Sequence, residues 1–121
     1  YFKEHVLGNK DFPTQYQALP GTAAVINAVT KDPNGIGYGG IGYAKDVKVI
    51  PVSKDAKSAP VEPTEENVHN NTYPISRFLF WYTAGVPTGA VKEFTDWVLS
   101  AEGQKVISEV GYYPMVATTG K

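Results

Sequence analysis

The stretch ISRFLFWYTAG, residues 75–85, is the most apolar run in the chain and carries most of the information about its fold. Residues 78–82 within it are all apolar or aromatic, with no polar position between them. The run is far shorter than the ~20 residues that a membrane-spanning helix needs. It therefore predicts a β-strand that is buried on both faces and ended by Gly85 and Pro87.

After this run, the apolar spacing becomes helical. An apolar stripe at helical spacing predicts a helix that begins at Thr88 and buries one continuous face. The stripe consists of Val91, Phe94, Val98 and Ala101. A second helix is expected to begin at Ser100, with Gly111 in position to cap its C-terminal end.

Before the run, short helices and short strands are expected to alternate. Residues 1–7 are typical of the last turns of a helix closed by Gly8. Thr22 is predicted to cap a helix that places Val25, Ile26 and Val29 on one face and stops at Pro33.

Further along, residues 35–44 favour a short buried strand followed by a turn or helical turn, and residues 47–52 favour a second strand. Residues 53–63 form a polar loop, and Thr64 starts a short helix. This order of elements predicts an α/β layer structure.

The composition of the 121 residues is that of an ordinary globular protein about one domain in size, with 42% hydrophobic and 19% charged residues. Eleven basic and twelve acidic side chains give a net charge of −1, which excludes the basic surface expected of a nucleic-acid-binding protein. The absence of cysteine excludes disulfides and thiol chemistry. The chain begins without Met or a leader, so we expect either a mature protein or an internal fragment.

The glycines Gly35, Gly37 and Gly40 form a literal G-x-G-x-x-G. A dinucleotide site would need a strand before this motif and a helix after it. Here a helix precedes the motif and no long amphipathic helix follows. We interpret the glycines as serving a tight turn and close backbone packing. A nucleotide-dependent enzyme remains an alternative that rests on this motif alone.

Few residues suggest a site. Gly21 and Thr22 open a helix whose free amides could bind an anion, although simple capping explains them equally. Arg77, the only arginine, could bind a phosphate or pair with a carboxylate at a strand end. His5 and His69 lie in no metal-binding pattern. The sequence thus predicts no catalytic residue, no metal site and no cofactor, and the protein is not expected to be an enzyme.

The order of five segments resembles the substrate-binding proteins of bacterial phosphate ABC transporters. The segments are FKEHVL (2–7), GTAAVINAV (21–29), NGIGYGGIGYAKDVKVIPV (34–52), TEENVHNNTYPISRFLFWYT (64–83) and VKEFTDWVLSAEGQKVISEVGYYPM (91–115). The most specific features are YPISR at the entry to the aromatic run, and F-x-x-W-V-L-S-x-E-G-Q followed by G-Y-x-P. The resemblance covers nearly the whole chain.

The resemblance implies a type 2 periplasmic-binding-protein-like fold, in which two α/β lobes close over one oxyanion. Residues 1–70 would belong to the second lobe, so the chain would start within that lobe. Residues 71–84 would form a crossover strand that returns to the first lobe. Residues 85–121 would form C-terminal helices that pack on the first lobe.

The resemblance also implies a function: capture of inorganic phosphate and its delivery to an ABC-transporter permease. The protein would be extracytoplasmic, either periplasmic or lipid-anchored. The family's ligand motifs precede the equivalent of Tyr1, which implies a missing N-terminal part of the same protein. Arg77 does not match the family's binding arginine, so Gly21 and Thr22 remain as candidates at the pocket edge.

Two further alternatives stay open. The protein could bind another oxyanion, such as sulfate or molybdate, because the residues that select the ligand would lie upstream. It could also be a ligand-free structural or adhesion protein of the same fold. If the chain is one part of a larger fold, it should expose a core face and be poorly stable, or self-associate, when isolated.

Overall fold

The computed structural model describes residues 1–115, and these contain five α-helices and one 3-10 turn. The helices are α1 (Phe2–His5), α2 (Thr22–Lys31), α3 (Glu65–His69), α4 (Gly89–Leu99) and α5 (Ala101–Glu109), and the 3-10 turn is Ile41–Tyr43. The chain divides into two compact units, Tyr1–Arg77 and Phe78–Lys121. The first unit carries α1, α2, the turn and α3, and the second carries α4 and α5.

Helix α2 forms close to where the sequence places it. Its predicted apolar face is confirmed, because Val25, Ile26 and Val29 are all half-buried. The prediction that Thr22 caps the helix is wrong: Thr22 is the first helical residue, and the N-cap is Gly21, with φ 83° and no side-chain capping bond. A φ in this range favours glycine, which has no Cβ to clash with the backbone.

A stack of aromatic rings joins α1 to the segments that follow it in the first unit. The rings of Phe2 and Tyr38 lie 3.9 Å apart, centre to centre, and are tilted by only 8°. Phe12 lies 6.1 Å from Tyr38 and 5.1 Å from Tyr16. This stack fixes the short helix α1, which four residues of backbone hydrogen bonding could not hold alone.

The strands predicted before residue 64 are not formed in the described part of the chain. Ile36, expected in a buried strand, is 81% exposed, although the predicted helical turn does follow it at Ile41–Tyr43. Of residues 47–52, only Val52 pairs, through one antiparallel bridge to Val61. A strand needs a neighbouring segment to accept its hydrogen bonds, and a run of β-branched residues cannot supply one.

Helix α3 begins at the cap that the sequence predicts. The Thr64 hydroxyl accepts a hydrogen bond from the Asn67 amide at 3.2 Å. By contrast, Thr88 is the N-cap of α4 and makes no side-chain capping bond. The two threonines therefore provide a natural comparison of a bonded and an unbonded cap.

We expect Thr64→Ala to destabilise α3 by about 1 kcal/mol, because it leaves the Asn67 amide without its capping acceptor. Amide hydrogen exchange of Asn67, measured by NMR, should accelerate. Thr88→Ala is the matched control, and exchange at the start of α4 should change little. Equal acceleration at both helices would show that the Thr64 bond contributes nothing specific.

In the second unit, α4 and α5 form a tight corner around Ser100. The Ser100 hydroxyl donates to the Trp97 carbonyl at 2.6 Å and accepts from the Gly103 amide at 3.3 Å. The Gln104 side chain donates to the Val98 carbonyl at 2.8 Å. These bonds satisfy backbone groups that both helix ends would otherwise leave open. The predicted start of α5 at Ser100 is confirmed, and so is Gly111 beyond its end, with φ 92°.

The run at residues 78–82 does not form the predicted buried strand. Each of its five side chains is between 58% and 86% exposed. The α4 stripe is also open, with Val91 52% and Phe94 49% exposed. Both features are apolar enough to be buried, but burial needs a partner surface, and the described residues of the second unit do not provide one.

Candidate functional site

The glycine segment that follows α2 packs directly against that helix. A Cβ atom added to Gly37 would lie 2.6 Å from Val25 Cγ1, and one added to Gly39 would lie 2.3 Å from Thr22 Cγ2. Both distances are shorter than normal carbon contacts. The glycines therefore allow backbone and helix to approach closely, as the sequence analysis proposed for this motif.

The turn that leads into this segment is also local. The Asp32 carboxylate accepts from the Asn34 amide at 2.9 Å, and the Asp32 carbonyl accepts from the Gly35 amide at 2.9 Å. The motif is preceded by α2 and followed by the short turn Ile41–Tyr43. This is not the strand-to-helix arrangement that presents amides to a pyrophosphate.

Gly39→Ala should loosen the contact between the glycine segment and α2, by about 1–3 kcal/mol, as overpacking does elsewhere. Thr22→Ser removes the Cγ2 atom in the way and should restore most of the loss in the double variant. The measurement is amide exchange in α2, compared among the two single variants and the double variant. Additive effects of the two substitutions would contradict the contact.

Gly21 and Thr22, the predicted pocket-edge residues, lie together at the start of α2. Gly21 is exposed, whereas Thr22 is half-buried beneath Gly39. The Gly21 carbonyl accepts the first helical bond from the Val25 amide, at 3.4 Å. The amides that follow Gly21 have no acceptor earlier in the helix, as at any helix start.

Arg77 lies beside the first residue of the chain. Its guanidinium carbon is 5.5 Å from the centre of the Tyr1 ring, within the range of a cation–π contact. The Tyr1 hydroxyl donates to the Ser76 carbonyl at 2.9 Å. Together these contacts fix Arg77 in the first unit, away from Gly21 in sequence and joined to it by no described contact.

An open cleft of about 310 Å³ lies in the first unit, and the sequence analysis did not identify it. Its lining residues are Lys54, Asn71, Thr72, Tyr73, Pro74 and Ser76. The Thr72 hydroxyl already donates to the Asn70 side chain at 2.6 Å, so the cleft offers Lys54 as its main free-standing charge. No motif marks such a cleft, because loops far apart in the chain form it.

Asp55 is the group within residues 1–115 whose acidity is clearly shifted. The Lys57 amide donates to its carboxylate at 2.8 Å, and the Ser58 hydroxyl donates at 2.9 Å, which together lower the pKa of Asp55. Asp55 is fully exposed in a turn of the polar loop. Its role is therefore to hold that turn, and its lowered pKa does not indicate a catalytic group.

Two searches of the described residues found no candidate. No group of three or more His, Asp or Glu side chains within residues 1–115 is placed to hold a metal ion. No helix in the same range is long and apolar enough to cross a membrane.

The family model described as a PBP superfamily domain matches residues 1–102. The chain therefore belongs to the PBP superfamily, the class of the periplasmic-binding-protein fold. This confirms the fold class at that level, while the sheet and the arrangement of lobes stay predictions.

Known relatives narrow the similarity further. The chain is 41% identical to the phosphate-binding protein PstS of Pseudomonas aeruginosa, over 97% of this chain and 38% of that protein. It is 32% identical to the phosphate-binding proteins PstS of Staphylococcus epidermidis and Staphylococcus aureus, over 93% of this chain and 35% of each relative. The resemblance to phosphate transporter binding proteins is thereby confirmed. The chain spans well under half the length of these relatives.

Proposed function

We propose that this chain is the C-terminal portion of a phosphate-binding protein that captures inorganic phosphate for uptake by an ABC transporter. The observation that carries this proposal is the match to proteins named for phosphate binding along 97% of the chain. These relatives are named as binding proteins, which agrees with a protein that is not an enzyme. Phosphate would be held by fixed hydrogen-bond donors as two lobes close, with no bond made or broken.

In this proposal, residues 1–70 belong to the second lobe, residues 71–84 cross back as a strand, and residues 85–121 pack on the first lobe. The break between the two compact units, after Arg77, falls within the proposed crossover. The phosphate would pass to a permease, and the protein would work outside the cytoplasm, in the periplasm or anchored by a lipid. The family membership supports these steps.

A chimera would test the function. This chain replaces the matching segment of the P. aeruginosa relative, and isothermal titration measures binding of phosphate and of sulfate. We expect the chimera to bind phosphate and to discriminate against sulfate, as the parent does in parallel titrations. Preference for sulfate would favour the other-oxyanion alternative. A folded chimera that binds neither anion, beside a parent that binds phosphate, would reject the proposal.

Gly21 and Thr22 are the candidates for the pocket edge in this chain. If the Thr22 hydroxyl reaches the phosphate in the closed state, Thr22→Val should weaken phosphate binding by the chimera by roughly tenfold, the value of one hydrogen bond. Thr22→Ser is the matched control, because it keeps the hydroxyl and should bind nearly as well. Equal affinity of the Val and Ser variants would remove Thr22 from the site.

A further inference from the structure

We propose that the apolar surface of the second unit, which we name the aromatic surface, is a docking site for one partner. It comprises residues 78–82 together with Phe94 and Trp97 of α4. Its occupant is the polypeptide segment that the PstS relatives possess and that this chain does not match. This inference rests on the proposed function, because it takes the chain to be part of the same two-lobed protein.

The exposure of this surface is the first observation. The five side chains at 78–82 are 58–86% exposed, and Trp97 is 38% exposed. Some of the rings already contact one another: Trp81 lies 5.4 Å from Phe94, which lies 5.9 Å from Trp97. The result is a contiguous aromatic patch with one face open, a feature that marks interaction sites.

The total surface area is the second observation. The 13.1 kDa chain exposes 9973 Å², whereas a folded monomer of this mass exposes about 6,400 Å². Even two separate bodies of the sizes of the two units would expose only about 7,700 Å². The surplus of roughly 2,000 Å² exceeds the roughly 800 Å² that each partner buries in a standard interface. It is the area expected when a large interface is left open.

The backbone of residues 79–82 is the third observation. Within residues 1–115, no strand pairs with this segment, although its residues favour strands strongly. Unpaired amides and carbonyls beside exposed aromatic side chains are suited to strand addition, in which a sheet edge accepts the segment. The occupant must therefore offer both a sheet edge and an apolar face.

The relatives supply the source of such an occupant. They match 97% of this chain, yet the chain covers only 38% of the P. aeruginosa protein and 35% of the staphylococcal proteins. The relatives thus carry well over half of their length in addition to the matched region. A second copy of this chain would offer the same unpaired run, but no described strand edge to receive it.

Hydroxyl-radical footprinting of the isolated chain and of the chimera tests the inference. We expect residues 78–82 to be modified readily in the isolated chain and roughly tenfold more slowly in the chimera, as for rings that become buried. Full modification of this run in a folded chimera would overturn the proposal. Protection of the run in the isolated chain at high concentration, with a dimer in sedimentation, would identify a second copy as the occupant and also overturn it.

A pair of variants separates the docking from phosphate binding. Leu79→Glu places a charge on the aromatic surface and should prevent the chimera from folding cooperatively, whereas Ile36→Glu, at a more exposed apolar site of the first unit, should not. Protection of residues 78–82 without phosphate binding would keep the docking site and remove the proposed function. Phosphate binding by a chimera with an unprotected run would do the reverse.

Discussion

Gly103→Ala is expected to destabilise the α4–α5 corner by about 2 kcal/mol or more, the opposite sign to the usual effect of this change in a helix. Alanine normally stabilises a helix interior relative to glycine by about 0.5–1 kcal/mol. Here the added Cβ would lie 2.2 Å from the Trp97 carbonyl oxygen and 2.6 Å from that of Val98. Both atoms belong to the backbone, so neither can rotate away.

The change must therefore move α5 away from the end of α4. Such a shift would break the hydrogen bonds that Gly103 makes to Ser100 and that Gln104 makes to Val98. Gly103 is also the one residue classed as buried within residues 1–115, so the corner has little room to relax. The loss combines steric overlap with unsatisfied backbone groups.

Urea unfolding of the chimera would measure this effect. Ser108→Ala is the matched control, since it places alanine at an exposed position of the same helix and should be neutral or slightly stabilising. If Gly103→Ala were as well tolerated as Ser108→Ala, the close approach of α5 to the end of α4 would be incorrect.

Phe94→Ala should have a second large effect, but only in the chimera. In the isolated chain the ring is 49% exposed and packs mainly against Trp81 and Trp97, so its loss should cost about 1 kcal/mol. If the aromatic surface is covered in the complete protein, the same change leaves a cavity in a buried core. The expected cost then rises to about 3–5 kcal/mol.

The comparison is made by unfolding the Phe94→Ala variant in both contexts. Glu93→Ala is the control, because Glu93 is an exposed neighbour on α4 and should matter little in either. Equal costs of Phe94→Ala in the isolated chain and in the chimera would mean that the surface stays open in the complete protein.

The local features of the chain could be predicted residue by residue. Thr64 and Ser100 were expected to start helices, and each side chain accepts a hydrogen bond from an amide three residues on. Pro33 was expected to stop α2, which ends at Lys31. Capping and helix breaking involve residues within one turn of each other, so sequence alone contains the needed information. Thr22 failed as a cap because the preceding glycine adopts the cap conformation first.

The candidate site could be predicted less well. Gly21 and Thr22 were identified from helix-start chemistry, but the contact between Thr22 and Gly39 joins residues far apart in the chain. The cleft around Lys54 combines a loop with the segment after α3, and no spacing in the sequence links them. Sites of this kind depend on tertiary approach, which a periodic pattern does not encode.

The sequence by itself determined the helices, their caps and the family, because helical hydrogen bonds are local and because long ordered motifs such as YPISR and WVLSAEGQ are specific. The tertiary structure decided the role of the glycine motif, which is close packing on α2, since only distances reveal what a missing Cβ makes possible. It also decided that residues 78–82 lie open. A strand and a core are properties of two surfaces, and an apolar run determines only one of them.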